Sequence, residues 1–114
     1  MKLVLTSKGK DLKSEVDEIF GRCSYFCLLS PESMEHEFFE NPAFSSAGGA
    51  GVKAAQWVIN SGAKVLLTGN VGPKAFSTLL SGGVEIYTVK GVTLQEAVEK
   101  WKRGELKRLE KLSI

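Results

Sequence analysis

The chain is poorest in side chains that do metal and acid–base chemistry. Its 114 residues include one histidine (His36), two cysteines (Cys23 and Cys27) and two aspartates (Asp11 and Asp17). No serine or cysteine has a histidine-type partner beyond that single ring, which argues against a nucleophile–base pair and for a protein that is not an enzyme. A two-metal nuclease needs clustered carboxylates, and both aspartates fall in one loop after the first strand-like run. Charge of one sign is also lacking. Fifteen basic residues face thirteen acidic ones, a net charge of +2, so no strong field for nucleic acid or a membrane surface is expected. Long apolar runs are missing too. The opening MKLVLTSKGK has three apolar residues in succession, too few for a signal peptide, and no run approaches the roughly 18 needed to span a bilayer. These absences predict a cytoplasmic protein with reduced thiols.

What is present is apolar content of 43% and twelve glycines. A chain of this size buries roughly two-thirds of its unfolded surface, enough for one domain over residues 1–114. The charged tail at about 103–114 reads as a solvated helix or a frayed end.

Periodicity predicts an α/β protein. KLVLTS (2–7) is a short strand, and SYFCLLS (24–30) and MEHEFFE (34–40), joined by Ser30, Pro31, Glu32 and Ser33, form an antiparallel hairpin. After the loop ENPAFSSAGGAG (40–51), the spacing of Val52, Ala55, Val58 and Ile59 predicts a helix over 52–61 that Gly62 stops. KVLLT (64–68) reads as a strand buried on both faces. Pro73 opens a helix with Phe76, Leu79 and Leu80 on one face, Gly82 and Gly83 close it, and VEIYTV is the next strand. Thr93 and Glu96 form a T-x-x-E capping box for a last helix through Leu94, Ala97, Val98 and Trp101. The expected sheet is mixed, with the hairpin on one side and parallel strands on the other.

Two glycine-rich turns stand out, SSAGGAGVK and TGNVGPKA. Gly51-Val52-Lys53-Ala54 is echoed 21 residues later by Gly72-Pro73-Lys74-Ala75. Each turn is expected to open a helix, and helix N-termini carry unpaired N–H groups and partial positive charge suited to anions. In open α/β sheets such turns line the crevice beyond the carboxyl ends of the strands. Neither is a Walker loop, because the GK[ST] ending is missing, and the G-x-G of AGGAG follows no clear strand. The glycines also read as simple tight turns. Lys53 and Lys74 are positioned to add charge, and Asn70 either points an amide into the crevice or tolerates left-handed backbone.

On one extended strand Cys23 and Cys27 would face the same side about 13 Å apart, too far for a disulfide or a shared ion. Cys23, beside the loop, is expected to be exposed and Cys27 buried. His36 sits among glutamates on an edge-like strand and reads as a solvated or packing residue.

Together SEVDEIFGRCSYF, ENPAF…GGAGVKAAQWV and LLTGNVGPKAF resemble the dinitrogenase iron–molybdenum cofactor biosynthesis family, which comprises NifX-like proteins, the C-terminal domain of NifB and stand-alone relatives. The resemblance covers nearly the whole chain. It implies a ribonuclease H-like three-layer fold with a five-stranded mixed sheet, an antiparallel hairpin at its edge and flanking helices. It also implies non-enzymatic binding or carriage of an iron–sulfur or iron–molybdenum-type cluster or precursor, with a cofactor-assembly protein as partner. Phe20, Gly21 and Arg22 match the family's F-G-R turn, Asn41 and Pro42 its N-P, Gly48, Gly49 and Gly51 its glycine-rich turn, and Gly69, Asn70, Gly72, Pro73 and Lys74 its GN[IV]GPK. With Lys53 added from the reading of the turns, the candidate cofactor-binding set is Gly21, Arg22, Gly48, Gly49, Gly51, Lys53, Asn70, Gly72 and Lys74. Many members carry histidine directly before F-G-R, where this chain has Ile19. Cys23, a soft thiolate donor three residues after Phe20, is the candidate metal ligand in its place. The alternative is a regulatory or interaction module that holds a phosphate-like anion or a partner protein in the same crevice.

Overall fold

A computed structural model of the chain describes residues 1–112. Six strands and three helices follow in the order β1 (Leu3–Ser7), β2 (Tyr25–Leu29), β3 (His36–Glu40), α1 (Ala50–Asn60), β4 (Val65–Thr68), α2 (Pro73–Ser81), β5 (Glu85–Thr88), α3 (Leu94–Lys102) and β6 (Lys107–Arg108), with a 3-10 turn at Phe20–Arg22. All six strands form one sheet in the order β3-β2-β1-β4-β5-β6. β1, β4 and β5 are mutually parallel, while β2, β3 and β6 each pair antiparallel with a neighbour. The sheet is therefore mixed, as expected, but it has six strands and not five. The sixth comes from the tail read as solvated or frayed. Lys107 and Arg108 pair with Thr88 and Tyr87, Leu109 N–H donates to Ile86 O at 2.7 Å, and Leu106 and Leu109 pack against the two cores. The leucines that flank Lys107 and Arg108 in ELKRLE thus fall on opposite faces of the sheet and leave a charged edge between them. Ser113 and Ile114 lie outside the described residues.

Side chains alternate across the strands, so the sheet divides the core in two. Val4, Phe26, Leu66 and Ile86 face α1 and α2, where Ala54, Ala55, Val58, Ala75 and Leu79 meet them. Leu3, Leu5, Cys27, Val65 and Leu67 face α3 through Leu94, Ala97 and Val98. On the first face Trp57 stacks on Phe26 with ring centroids 4.6 Å apart and also meets Phe39, which fixes α1 across the hairpin. The apolar stripe foreseen on α2 is narrower than its spacing suggests, since Leu80 is exposed. Among the described residues, no helix is long and apolar enough to cross a membrane.

The α3 capping box forms as expected: Glu96 N–H donates to Thr93 Oγ1 at 3.1 Å, and Thr93 N–H donates to Glu96 Oε1 at 2.8 Å. The first helix begins earlier than its apolar spacing implies, at Ala50, with Gly49 as its N-cap at φ +69°. Gly51 thus lies inside α1, whereas Gly72 is the N-cap of α2, so the Gly-x-Lys-Ala echo is out of structural register.

Candidate functional site

Beyond the carboxyl ends of β1 and β4, three backbone segments converge. The chain leaving β4 meets the segment before the 3-10 turn: Asn70 N–H donates to Glu18 O at 2.6 Å, and Phe20 N–H donates to Asn70 O at 3.1 Å. This contact requires Gly69, because a Cβ there would lie 2.6 Å from Glu18 O. The 3-10 turn then presses on the start of α1, where a Cβ on Gly21 would lie 2.9 Å from the Gly51 nitrogen. Gly51 in turn admits α2, as its Cβ would lie 3.2 Å from that of Ala75. Glycine serves close packing at these positions. Gly48 and Gly72 are different: a side chain at either would meet nothing within 4 Å, and neither has a positive φ.

The result is an open cleft of about 400 Å³ between the starts of α1 and α2, lined by Phe20, Gly21, Gly49–Val52 and Gly72–Ala75. Neither helix has a side-chain cap at its N-terminus. Helical geometry leaves the N–H groups of residues 50–52 in α1 and of residues 74 and 75 in α2 without intrahelical acceptors; Pro73 has none to offer. Both macrodipoles add positive potential at the cleft. The walls are otherwise apolar, contributed by Phe20, Ala50, Val52, Pro73 and Ala75.

Of the residues expected here, the structure brings Gly21, Gly49, Gly51, Gly72 and Lys74 to the lining, and Gly48 to the open loop just before it. Lys53 and Asn70 are exposed beside the cleft and do not line it. Lys53 is displaced because α1 starts early, and Asn70 spends its backbone on the Glu18–Phe20 segment. Arg22 is an anchor: its Nη1 donates to Ser46 O at 2.7 Å and Phe44 O at 3.2 Å, pinning the glycine-rich loop to the 3-10 turn.

Cys23 departs most from expectation. It is buried, not exposed, and lies in the α1/α2 core while Cys27 lies in the α3 core, so the two thiols are on opposite faces of the sheet. The single extended strand assumed for both does not exist, because β2 begins only at Tyr25. Burial foremost, reinforced by the Asp17 carboxylate, pushes the Cys23 thiol up to about 12, against the weaker lowering effect of the Asn41 amide and the local backbone. As placed it is a neutral thiol beneath the turn and does not reach the cleft. His36 stands exposed at the start of β3, the end of that strand remote from the cleft, with Nδ1 2.9 Å from Met34 O. Ile19 is 57% exposed at the entrance to the 3-10 turn.

One residue without a foreseen role organises the site. Asn41, 4% exposed, donates through Nδ2 to Gly21 O at 3.1 Å and Cys23 O at 3.0 Å, and its Oδ1 accepts from Ala43 N–H at 2.9 Å. It welds the 3-10 turn to the loop that leads into α1. Its signal in the sequence is the Asn-Pro pair just past a strand.

Comparison with known proteins matches residues 1–104 to the family model described as dinitrogenase iron-molybdenum cofactor. An uncharacterized protein of Methanocaldococcus jannaschii is 30% identical over 94 residues, covering 80% of each chain. The apo form of the orange protein from Desulfovibrio gigas superposes with a TM-score of 0.94 at 35% identity, over 99% of this chain and 96% of that one. A NifB-like protein from Thermotoga gives a TM-score of 0.86 at 36% identity, over 99% and 97%.

Proposed function

This chain belongs to the dinitrogenase iron-molybdenum cofactor family, and from that premise we propose that it binds and carries an anionic metal–sulfur cluster or precursor as cargo, without turning it over, in the cleft between α1 and α2. The observation that supports this most is the contrast among helix starts. α3 is closed by its own capping box, whereas α1 and α2 are uncapped and open onto one cleft. The donors there are backbone N–H groups, with Lys74 among the lining residues to add positive charge. They fit an anion held by hydrogen bonds and dipoles inside apolar walls. They do not fit an iron atom ligated directly by protein, because Cys23 is a buried neutral thiol and Ile19 stands where many relatives have histidine.

Gly48 and Gly72 give the cargo room, since no packing contact requires glycine at either position. Arg22 and Asn41 hold the two turns in place before cargo arrives, which lowers the ordering cost of binding. Lys53 and Asn70 border the site and contribute charge and polarity from outside it. In this reading the fold is ribonuclease H-like, the whole chain acts as one domain in the cytoplasm, and an assembly protein supplies or receives the cluster. The test is anaerobic incubation with iron, molybdate and sulfide followed by desalting. Metal and sulfide co-eluting with the protein in fixed ratio is the expected result; elution of bare protein counts against the reading.

A second reading rests on the same donor set. With no soft ligand in the cleft, a phosphate-like oxyanion satisfies the N–H groups equally well, and the chain would then be a regulatory or interaction module whose crevice takes that anion or a partner protein. Thermal stabilisation by phosphate or molybdate without any response to metal–sulfur species would favour it, since a ligand of the folded state raises apparent stability.

A further inference from the structure

The two edges of the sheet carry opposite charge. At one end β3 exposes Glu37 and Glu40, and the turn before it exposes Glu32 and Glu35. At the other end β6 exposes Lys107 and Arg108, followed by exposed Lys111. Counter-charges border both edges: Lys2 lies beside Glu35 and Glu37, Lys102 Nζ reaches Met34 Sδ at 3.9 Å just before β3, Lys10 lies over the ring of Tyr25, whose register partner is Glu40, and Glu105 and Glu110 flank β6. Glu105 is already engaged by Arg103 at 2.6 Å and Lys100 at 3.9 Å. The ion pairs among the described residues are Lys8–Glu15, Lys100–Glu105 and Arg103–Glu105, so among those residues neither the acids of β3 nor the bases of β6 form one.

Each edge strand also presents an outward row of backbone N–H and C=O groups, and neither β3 nor β6 contains proline. Like edges repel: β3 against β3 would set glutamate opposite glutamate, and β6 against β6 cation opposite cation. Unlike edges attract. Strand direction agrees, because β3 runs with β1, β4 and β5 while β6 runs against them. A second copy displaced sideways in the same orientation therefore brings its β3 antiparallel to β6 of the first.

We propose that the β6 edge of one copy pairs with the β3 edge of a second copy, so that the sheet continues from molecule to molecule. The contact is heterologous and leaves a free edge at each end, which makes the assembly open-ended unless it closes into a ring. β6 is two residues long, so the backbone ladder is short and charge attraction supplies much of the binding. The association is consequently weak and salt-sensitive. The cleft between α1 and α2 is not part of this contact.

The test is sedimentation equilibrium of the full chain as a function of concentration and salt. At about 0.01 M salt, where screening extends about 30 Å, the average mass should rise with concentration to at least twice that of the monomer; at 1 M, where it falls to about 3 Å, the mass should return to monomer. The paired variants Glu37→Lys/Glu40→Lys and Lys107→Glu/Arg108→Glu make both edges of a molecule carry one sign, so each alone should stay monomeric. Mixed together they should associate again, because each edge now finds its opposite. Recovery in the mixture also shows that both variants are folded. A monomeric wild-type chain at low salt, variants that associate alone, or a mixture that stays monomeric would each overturn the proposal.

Discussion

At the scale of single residues, the geometry of the cleft depends on groups outside its lining. Asn41 satisfies two carbonyls and one N–H from a buried position, and the Asn41→Ala variant orphans all three. We expect a loss of about 1–3 kcal/mol in urea unfolding, accompanied by weaker cluster retention because the 3-10 turn loosens. Asn41→Asp should not rescue it, since a carboxylate cannot donate to the Gly21 and Cys23 carbonyls. The thiols give a pH signature. Burial pushes both Cys23 and Cys27 up from an ordinary value of 9.0 to about 12. The folded chain therefore keeps protons that the unfolded chain releases from about pH 9, so this stability is present below pH 9 and is lost as pH rises toward 12. The slope reaches about 1.4 kcal/mol per pH unit for each thiol. Denaturation midpoints measured between pH 8 and 11 should fall accordingly, and a chain with Cys27→Ala should fall less steeply.

At the scale of elements, the three helices divide by how they begin. Thr93→Ala removes one half of the α3 capping box and should cost about 1 kcal/mol of stability while leaving cluster uptake unchanged, as measured by thermal unfolding and by metal content after desalting. Equal loss of uptake would mean that α3 belongs to the site. The order of the elements was legible from β1 to α3 because each signal was local: alternating apolar runs, the Pro73 start, the Thr93–Glu96 spacing. Their exact limits depended on tertiary contacts. α1 begins at Ala50 because the 3-10 turn packs onto its first residues, a contact invisible to helical periodicity, and the shift moved Lys53 out of the cleft. β6 escaped notice because two charged residues between glutamate and leucine look like a solvated tail until a sheet edge is there to receive them. Cys23 was misplaced for a related reason. Its burial comes from the turn at Phe20–Arg22 folding under α1, and proximity to a loop in sequence says nothing of that.

At the scale of the whole molecule, helices on both faces of one sheet put two uncapped helix starts at one end of it, and its mixed strand directions leave oppositely charged edges at the sides. The motif GNVGPKA is informative here mainly through Gly72, the N-cap of α2, where neither packing nor backbone conformation requires glycine. That position separates the two roles a helix start can play. Gly72 has φ −72° and ψ 165°, a conformation that suits a capping side chain. The Gly72→Asp variant should therefore cap α2 with its own carboxylate and gain a few tenths of a kcal/mol in stability. The same carboxylate would occupy the N–H groups of α2 and repel an anion from the cleft. The most direct measurement is the metal and sulfide retained by wild-type and Gly72→Asp chains after identical anaerobic loading and desalting, with thermal unfolding of both recorded alongside. If the uncapped helix starts hold the cargo, the variant is at least as stable as the wild type and retains little or no cluster. Full retention by a stable Gly72→Asp chain would contradict the assignment of the cleft.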